Sequence, residues 1–228
     1  MTPGVPKSSL EFLAKLAINN TKDWMDEHRK EYQSSEKELK KFYAEIEKGL
    51  NITDEIAKVK VFRINRDIRF SKDKTPYNMH RSASFSRAGV QRRGSYYLRI
   101  EPGNKSRLGG GFFGPEPDDL LRIRKEFEMD ASEIRAILSA PKFKKIYGGV
   151  FNTWNAVKTA PNGFSKDDPN IDLIRLKNFV VTHNFTDSEV VAPNFAEIVI
   201  EHFELLRPFF DYMSDVLTTD LNGASILP

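Results

Sequence analysis

The sequence predicts an α+β fold: an antiparallel, mainly meander sheet of about five strands, packed by N-terminal and C-terminal helices. Three observations predict it. Apolar residues recur every three or four positions over residues 9–50 and again after Pro115, the spacing of helices that bury one face. Between Val59 and Phe113 the period drops to two, as in strands with one apolar face. The gaps between those strands are shorter than the roughly dozen residues a parallel crossover needs, so neighbours run antiparallel. Helices, then a run of strands, then helices is the order of an α+β domain.

The elements follow in order. Ser9 is a helix N-cap, with Phe12, Leu13, Leu16 and Ala17 on one face. Thr21 opens a long helix whose buried stripe runs Trp24, Tyr32, Leu39, Phe42, Ile46 and Leu50, with His28 on the same track as a packed histidine. From Val59, Phe62, Ile64, Ile68 and Phe70 alternate with Arg63, Asn65, Asp67 and Arg69, which reads as a strand. Further strands fall near Met79–Arg87, Ser95–Glu101 and Arg107–Phe113, separated by glycine and proline turns. Beyond Pro115, Leu120, Ile123 and Phe127 form a helical stripe, Asp130 and Glu133 a capping box for the next helix, and Pro141 its end. Residues 148–170 read as a long ordered loop, uncommon enough in length to suggest that it covers something. A short helix near Ile171–Leu176 leads to a strand at Phe179–Phe185, and Thr186 with Glu189 forms a second capping box. The last helix, from Phe195 to Leu217, is split or kinked by Pro208.

Composition narrows the classes. With 228 residues, 39% of them hydrophobic, the chain fills one core, expected as a single domain over 1–228. Without cysteine it has no disulfide, no thiolate nucleophile and no Cys-ligated metal. No stretch nears ~18 consecutive apolar residues and none resembles a signal core, so no membrane association and a cytoplasmic location are expected.

Charge is segregated. Residues 60–110 carry thirteen Lys or Arg against Asp67, Asp73 and Glu101, a net +10 within a chain of net +3. Such a block either meets an anionic partner or is neutralised by the acidic flanks of its own fold. Its densest part is Arg63-Ile64-Asn65-Arg66-Asp67-Ile68-Arg69-Phe70-Ser71-Lys72-Asp73-Lys74-Thr75-Pro76-Tyr77. On a strand, Arg63, Asn65, Asp67 and Arg69 project from one face at about 6.6 Å per step, a pitch that suits bidentate capture of phosphate or carboxylate. Lys72 and Lys74 close over the same anion from the following turn, with Tyr77 as a donor and Arg99 on a neighbouring strand. The competing arrangement is an ion-pair network in which Asp67 orients the arginines, Asp73 pairs with a lysine, and Arg87 and Arg99 meet the acidic C-terminal helices. Arg66 falls on the apolar face, so it needs an acid or a bound anion.

The 63–77 string resembles the signature of a widespread family of conserved hypothetical proteins, a domain of unknown function. Phe12-Leu13, Asn19-Asn20, Asp23-Trp24, Gly109-Gly110-Gly111, Pro115-Glu116-Pro117, Leu121-Arg122-Ile123-Arg124, Phe143-Lys144-Lys145, Pro161-Asn162-Gly163 and Arg175-Leu176-Lys177-Asn178-Phe179 extend the similarity over about residues 10–217. The resemblance implies one domain and carries over no activity. Met79-His80 after Tyr77-Asn78 departs from the family pattern, so His80 is not carried over as a family feature.

Other constellations are weaker. Gly109-Gly110-Gly111-Phe112-Phe113-Gly114 matches G-x-G-x-x-G, but no parallel βαβ unit surrounds it and Glu116, Asp118 and Asp119 occupy the next helix N-terminus; bulging or close packing explains the glycines. His28, His80, His183 and His202 are scattered, leaving only a site assembled from His80, His183 and a carboxylate, and no metal or cofactor is expected. His80, Lys72 and Asp67 are the candidates for catalysis, with Ser71 or Ser82 near His80 as nucleophiles. Tyr96, Tyr97 and Phe85 among the arginines outline a stacking surface for nucleic acid. No motif specifies a reaction. The sequence therefore leaves three readings, led by binding of an anionic small molecule through residues 63–77, whether by an enzyme or by a binding protein; nucleic-acid binding and a structural or protein-interaction role are the alternatives.

Overall fold

The computed structural model describes residues 4–220 and 224–227. The elements are α1 (Lys7–Ile18), α2 (Lys22–Glu27), α3 (Arg29–Leu50), β1 (Ile56–Val61), β2 (Arg81–Arg87), β3 (Ser95–Ile100), β4 (Ser106–Phe112), α4 (Pro117–Met129), α5 (Ser132–Ser139), α6 (Pro141–Tyr147), α7 (Ile171–Ile174), β5 (Phe179–Phe185), α8 (Asp187–Val190), α9 (Phe195–Glu204) and α10 (Arg207–Thr218). The strands form one open antiparallel sheet in the order β1-β2-β3-β4-β5, so the class is α+β as predicted. No helix among the described residues is long and apolar enough to cross a membrane.

Residues cluster into two compact units, Met1–Phe85 with Tyr97–Leu108 and Asn184–Glu201, and Ser86–Tyr96 with Gly109–His183 and His202–Pro228. In the first, α1 buries Phe12, Leu13 and Leu16 with Met25 and Ile64, and Trp24, Tyr32 and Tyr77 pack against that cluster. Helix α1 starts at Lys7 behind Pro6 rather than at Ser9, which is buried in the first turn. The helix predicted from Thr21 breaks at His28. That imidazole stacks on Trp24 at 4.0 Å and donates from Nδ1 to Trp24 O at 2.9 Å, ending α2 before α3 begins. The stripe on α3 is buried as expected, and Phe42 stacks face to face on Phe195 at 5.7 Å. The capping box of Thr186 and Glu189 forms reciprocally at α8.

In the second unit, Tyr96 lies 5.0 Å from both Phe203 and Phe210, and Phe112 meets Phe209 and Phe210 edge-on. The glycine run of β4 makes this packing fit. A Cβ on Gly110 would stand 2.7 Å from Leu206 and 2.8 Å from Phe210, and one on Gly111, at φ +142°, only 2.0 Å from Phe179 O. The predicted helix splits at residues 205–206 with Pro208 in the first turn of α10, and Pro141 opens α6 two residues after α5 ends. The predicted Asp130–Glu133 box does not form: Ala131 is the N-cap, and Asp130 instead accepts from the Ser132 N–H and hydroxyl at 2.8 and 3.0 Å. The loop at 148–170 holds no helix or strand and buries Phe151 against Phe179 and Phe209.

The largest correction concerns β1, which ends at Val61. The motif is not a strand, so Arg63, Asn65, Asp67 and Arg69 share no flat face. Phe70, predicted to be apolar-facing, is 95% exposed.

Candidate functional site

The motif forms a closed loop between β1 and β2. Its arms pair like a short irregular ladder: the Phe62 N–H donates to Ser82 O, the Asn78 N–H to Ile64 O and the Arg66 N–H to Pro76 O, at 2.7–2.9 Å. An antiparallel bridge joins Asn65 and Tyr77. Ile64, 3% exposed, and the Tyr77 ring anchor the two arms on the α1–α2 core. Asn20 clamps the far arm, its Oδ1 accepting from the Tyr77 N–H at 3.1 Å and its Nδ2 donating to Tyr77 O at 2.9 Å. The alternation that suggested a strand is thus real pairing in a loop that leaves the sheet.

Between the 62–82 and 64–78 pairs the returning arm carries two extra residues, Met79 and His80, as a bulge does. His80 consequently turns into a cleft of about 460 Å³ lined by Phe62, Arg63, Asn65, Arg66, Asp67, Asn78, Ser82 and Tyr97. The structure so brings together four of the predicted site residues, Arg63, Asn65, Arg66 and Asp67, with His80.

Their charges are treated differently. Arg66 donates to Asp73 Oδ2 at 2.6 Å, to Thr75 O at 3.0 Å and to the Thr75 hydroxyl. Asp73 also accepts from the Thr75 N–H and hydroxyl, and these bonds together with Arg66 hold its carboxyl down at about 2. The predicted lysine partner of Asp73 is therefore replaced by Arg66. Arg69 forks onto Asp67 at 2.7 and 2.9 Å, which with the Arg69 N–H and the nearby Arg63 lowers the Asp67 carboxyl. The Arg63 guanidinium has no hydrogen-bond or ion-pair partner among the described residues, and Arg63 is exposed at the cleft wall.

His80 is half-buried. Burial, followed by Arg99, Arg107 and Arg81, lowers its imidazole to about 4, so it is neutral at pH 7. Beneath the cleft, Arg81 is buried on Glu36 and donates to Phe62 O at 2.6 Å. Its neighbour Tyr43 is completely buried with no partner for its hydroxyl.

The remaining predicted residues lie off the cleft wall. Lys72 is exposed, Lys74 donates to Ile68 O at 3.0 Å, and Tyr77 is committed to the core. Arg99 pairs with Glu101 near the end of its own strand, not with a C-terminal helix, whereas Arg87 does meet Asp211 of α10 at 2.6 Å. Phe85 and Tyr96 are fully buried, so the stacking surface proposed for them does not exist. His183 lies 3.0 Å from Ile146 O through Nδ1 and 5.0 Å from the His202 ring. Among the described residues no three His, Asp or Glu side chains gather as a metal ion requires. Sequence reasoning missed Asn20 and Asn78; the Asn19-Asn20 pair was the only signal for the clamp.

A family model of conserved hypothetical proteins, DUF2461, matches residues 8–212. The chain belongs to the DUF2461 family. The match takes in the whole 63–77 loop, the Asn20 clamp and all five strands, so every part of the cleft described above is DUF2461 sequence. No curated protein and no solved structure matches the chain.

Proposed function

We propose that the cleft beside the motif loop binds a small molecule through one anionic group, a phosphate or a carboxylate, seated on Arg63. The observation that carries this reading is the contrast within the loop: Arg66 and Arg69 are held by Asp73 and Asp67, while Arg63 faces the cleft with no carboxylate in hydrogen-bond or ion-pair contact. A guanidinium left unpaired beside a polar hollow is a fork preset for an oxyanion. Asn65 and Ser82 stand along the same wall to supply further polar contacts, and His80, being neutral, offers a hydrogen bond without adding charge. Bracing of the loop by its own ion pairs lowers the ordering cost of binding.

The test is Arg63→Ala against a panel of phosphate- and carboxylate-bearing metabolites, followed by calorimetry. At least a tenfold loss of affinity is expected, about the ~1.4 kcal/mol that a charged hydrogen bond contributes, with an unchanged circular-dichroism spectrum. Equal affinity for wild type and Arg63→Ala would remove Arg63 as the anion seat.

A further inference from the structure

We propose that the cleft takes up its anion together with one proton, and that His80 is the group that receives it. This rests on the anion-binding reading above and adds to it the identity of a second ligand-facing group and a dependence on pH. The geometry comes first. The two-residue bulge at Met79 and His80 places an imidazole on the same wall as Arg63, Asn65 and Ser82, within one hollow of about 460 Å³.

The groups facing His80 are mostly cationic. Arg81 follows it on β2, Arg99 stands on β3 and Arg107 on β4, while Arg63, Arg66 and Asp67 come from the opposite arm and Tyr97 from β3. Several of these charges are countered elsewhere: Arg81 by Glu36, Arg99 by Glu101, Arg66 by Asp73 and Asp67 by Arg69. Partial burial and the residual positive field keep the imidazole unprotonated until about pH 4. An oxyanion seated on Arg63 reverses the sign of that local field and supplies an acceptor for an imidazolium N–H. By linkage, a ligand that raises the pKa of a group binds with proton uptake, and binds more tightly as pH falls through the raised value. The cleft then presents two cations, Arg63 and protonated His80, which suits a doubly charged oxyanion of the phosphomonoester type better than a single carboxylate.

Sulfate is the probe, because its charge is constant across the pH range used. If bound sulfate returns His80 to about its ordinary 6.5, affinity rises roughly twentyfold between pH 7 and pH 5. Calorimetry near pH 5.5 in two buffers of different ionisation heat is expected to show uptake of close to one proton. His80→Gln is expected to bind with an affinity that does not vary between pH 7 and pH 5. An NMR titration of the wild-type imidazole, assigned by its absence from His80→Gln, reads the same event without relying on the variant. Sulfate binding with neither proton uptake nor movement of the His80 titration overturns this inference and leaves the anion seat standing. No binding of sulfate or of any panel anion at either pH overturns both.

Discussion

Arg63 and Arg66 stand three residues apart in one motif and meet opposite fates. Arg66 is anchored by Asp73 and Thr75 within the loop, so its charge shapes the backbone. Arg63 lines the cleft with no ion-pair partner among the described residues. Spacing alone does not separate these roles, because the partner of each arginine depends on how the loop folds back. Arg66 was legible as a residue needing an acid, while its choice of Asp73 was not. Tyr43 illustrates a different single-residue problem, a phenol hydroxyl buried beneath the cleft beside Arg81 and Glu36 without a hydrogen bond. An unmade bond at a buried group costs free energy, so Tyr43→Phe is expected to hold or raise stability by up to about 1 kcal/mol. A loss of more than that in urea unfolding would mean the hydroxyl is bonded in solution.

At the scale of the element, the motif loop behaves as a unit with three fastenings: the Ile64 and Tyr77 anchors, the Arg66–Asp73–Thr75 lock and the Asn20 clamp. Removing the clamp by Asn20→Ala deletes two hydrogen bonds of about 1 kcal/mol each. The amides of Arg66 and Asn78 are then expected to exchange up to roughly thirtyfold faster, while those of β3 keep their protection in native-state hydrogen exchange. Equal acceleration everywhere would show that the loop opens only with the whole fold. Elements set by local chemistry were readable in sequence. The Thr186–Glu189 box, the break before Pro208 and the limits of β5 all came out as predicted. The loop was misread as a strand because its paired arms alternate with the same period of two, and the departure from the sheet is fixed by Asn20, 57 residues away from its partner. The break at His28 was hidden for a similar reason, since it depends on an imidazole turning back onto Trp24 O.

Across the whole molecule, the basic block is answered only in part by its own fold. Arg66, Arg69 and Arg99 pair with Asp73, Asp67 and Glu101, which the net +10 already counts, so among these pairs only Glu36, Asp211 and Asp119, on Arg81, Arg87 and Arg93, offset it from outside. Global stability should reflect His80, a group that resists its charge. His80 takes a proton near 6.5 when unfolded and only near 4 when folded, so the unfolded state binds more protons between those values. Its contribution is present in full above about pH 6.5 and is lost as pH falls toward 4. Urea midpoints are therefore expected to drop from pH 7 to pH 5 more steeply in wild type than in His80→Gln; parallel profiles would mean that His80 titrates normally in the native state. Asp73 is shifted in the same direction, from 3.8 to about 2 through its bonds to Thr75 and Arg66, and extends the acid loss below that of His80.

The bare backbone of β4 has a bearing on how damage to this protein would be interpreted. At Gly110 and Gly111 neighbouring atoms lie where even a methyl would go, so an alanine there disables the chain without approaching any ligand. On the proposed function, a mutational sensitivity map is expected to show two hot regions, one around Arg63 and His80 and one at these glycines. Only abundance measured alongside binding tells a lost contact from a lost fold.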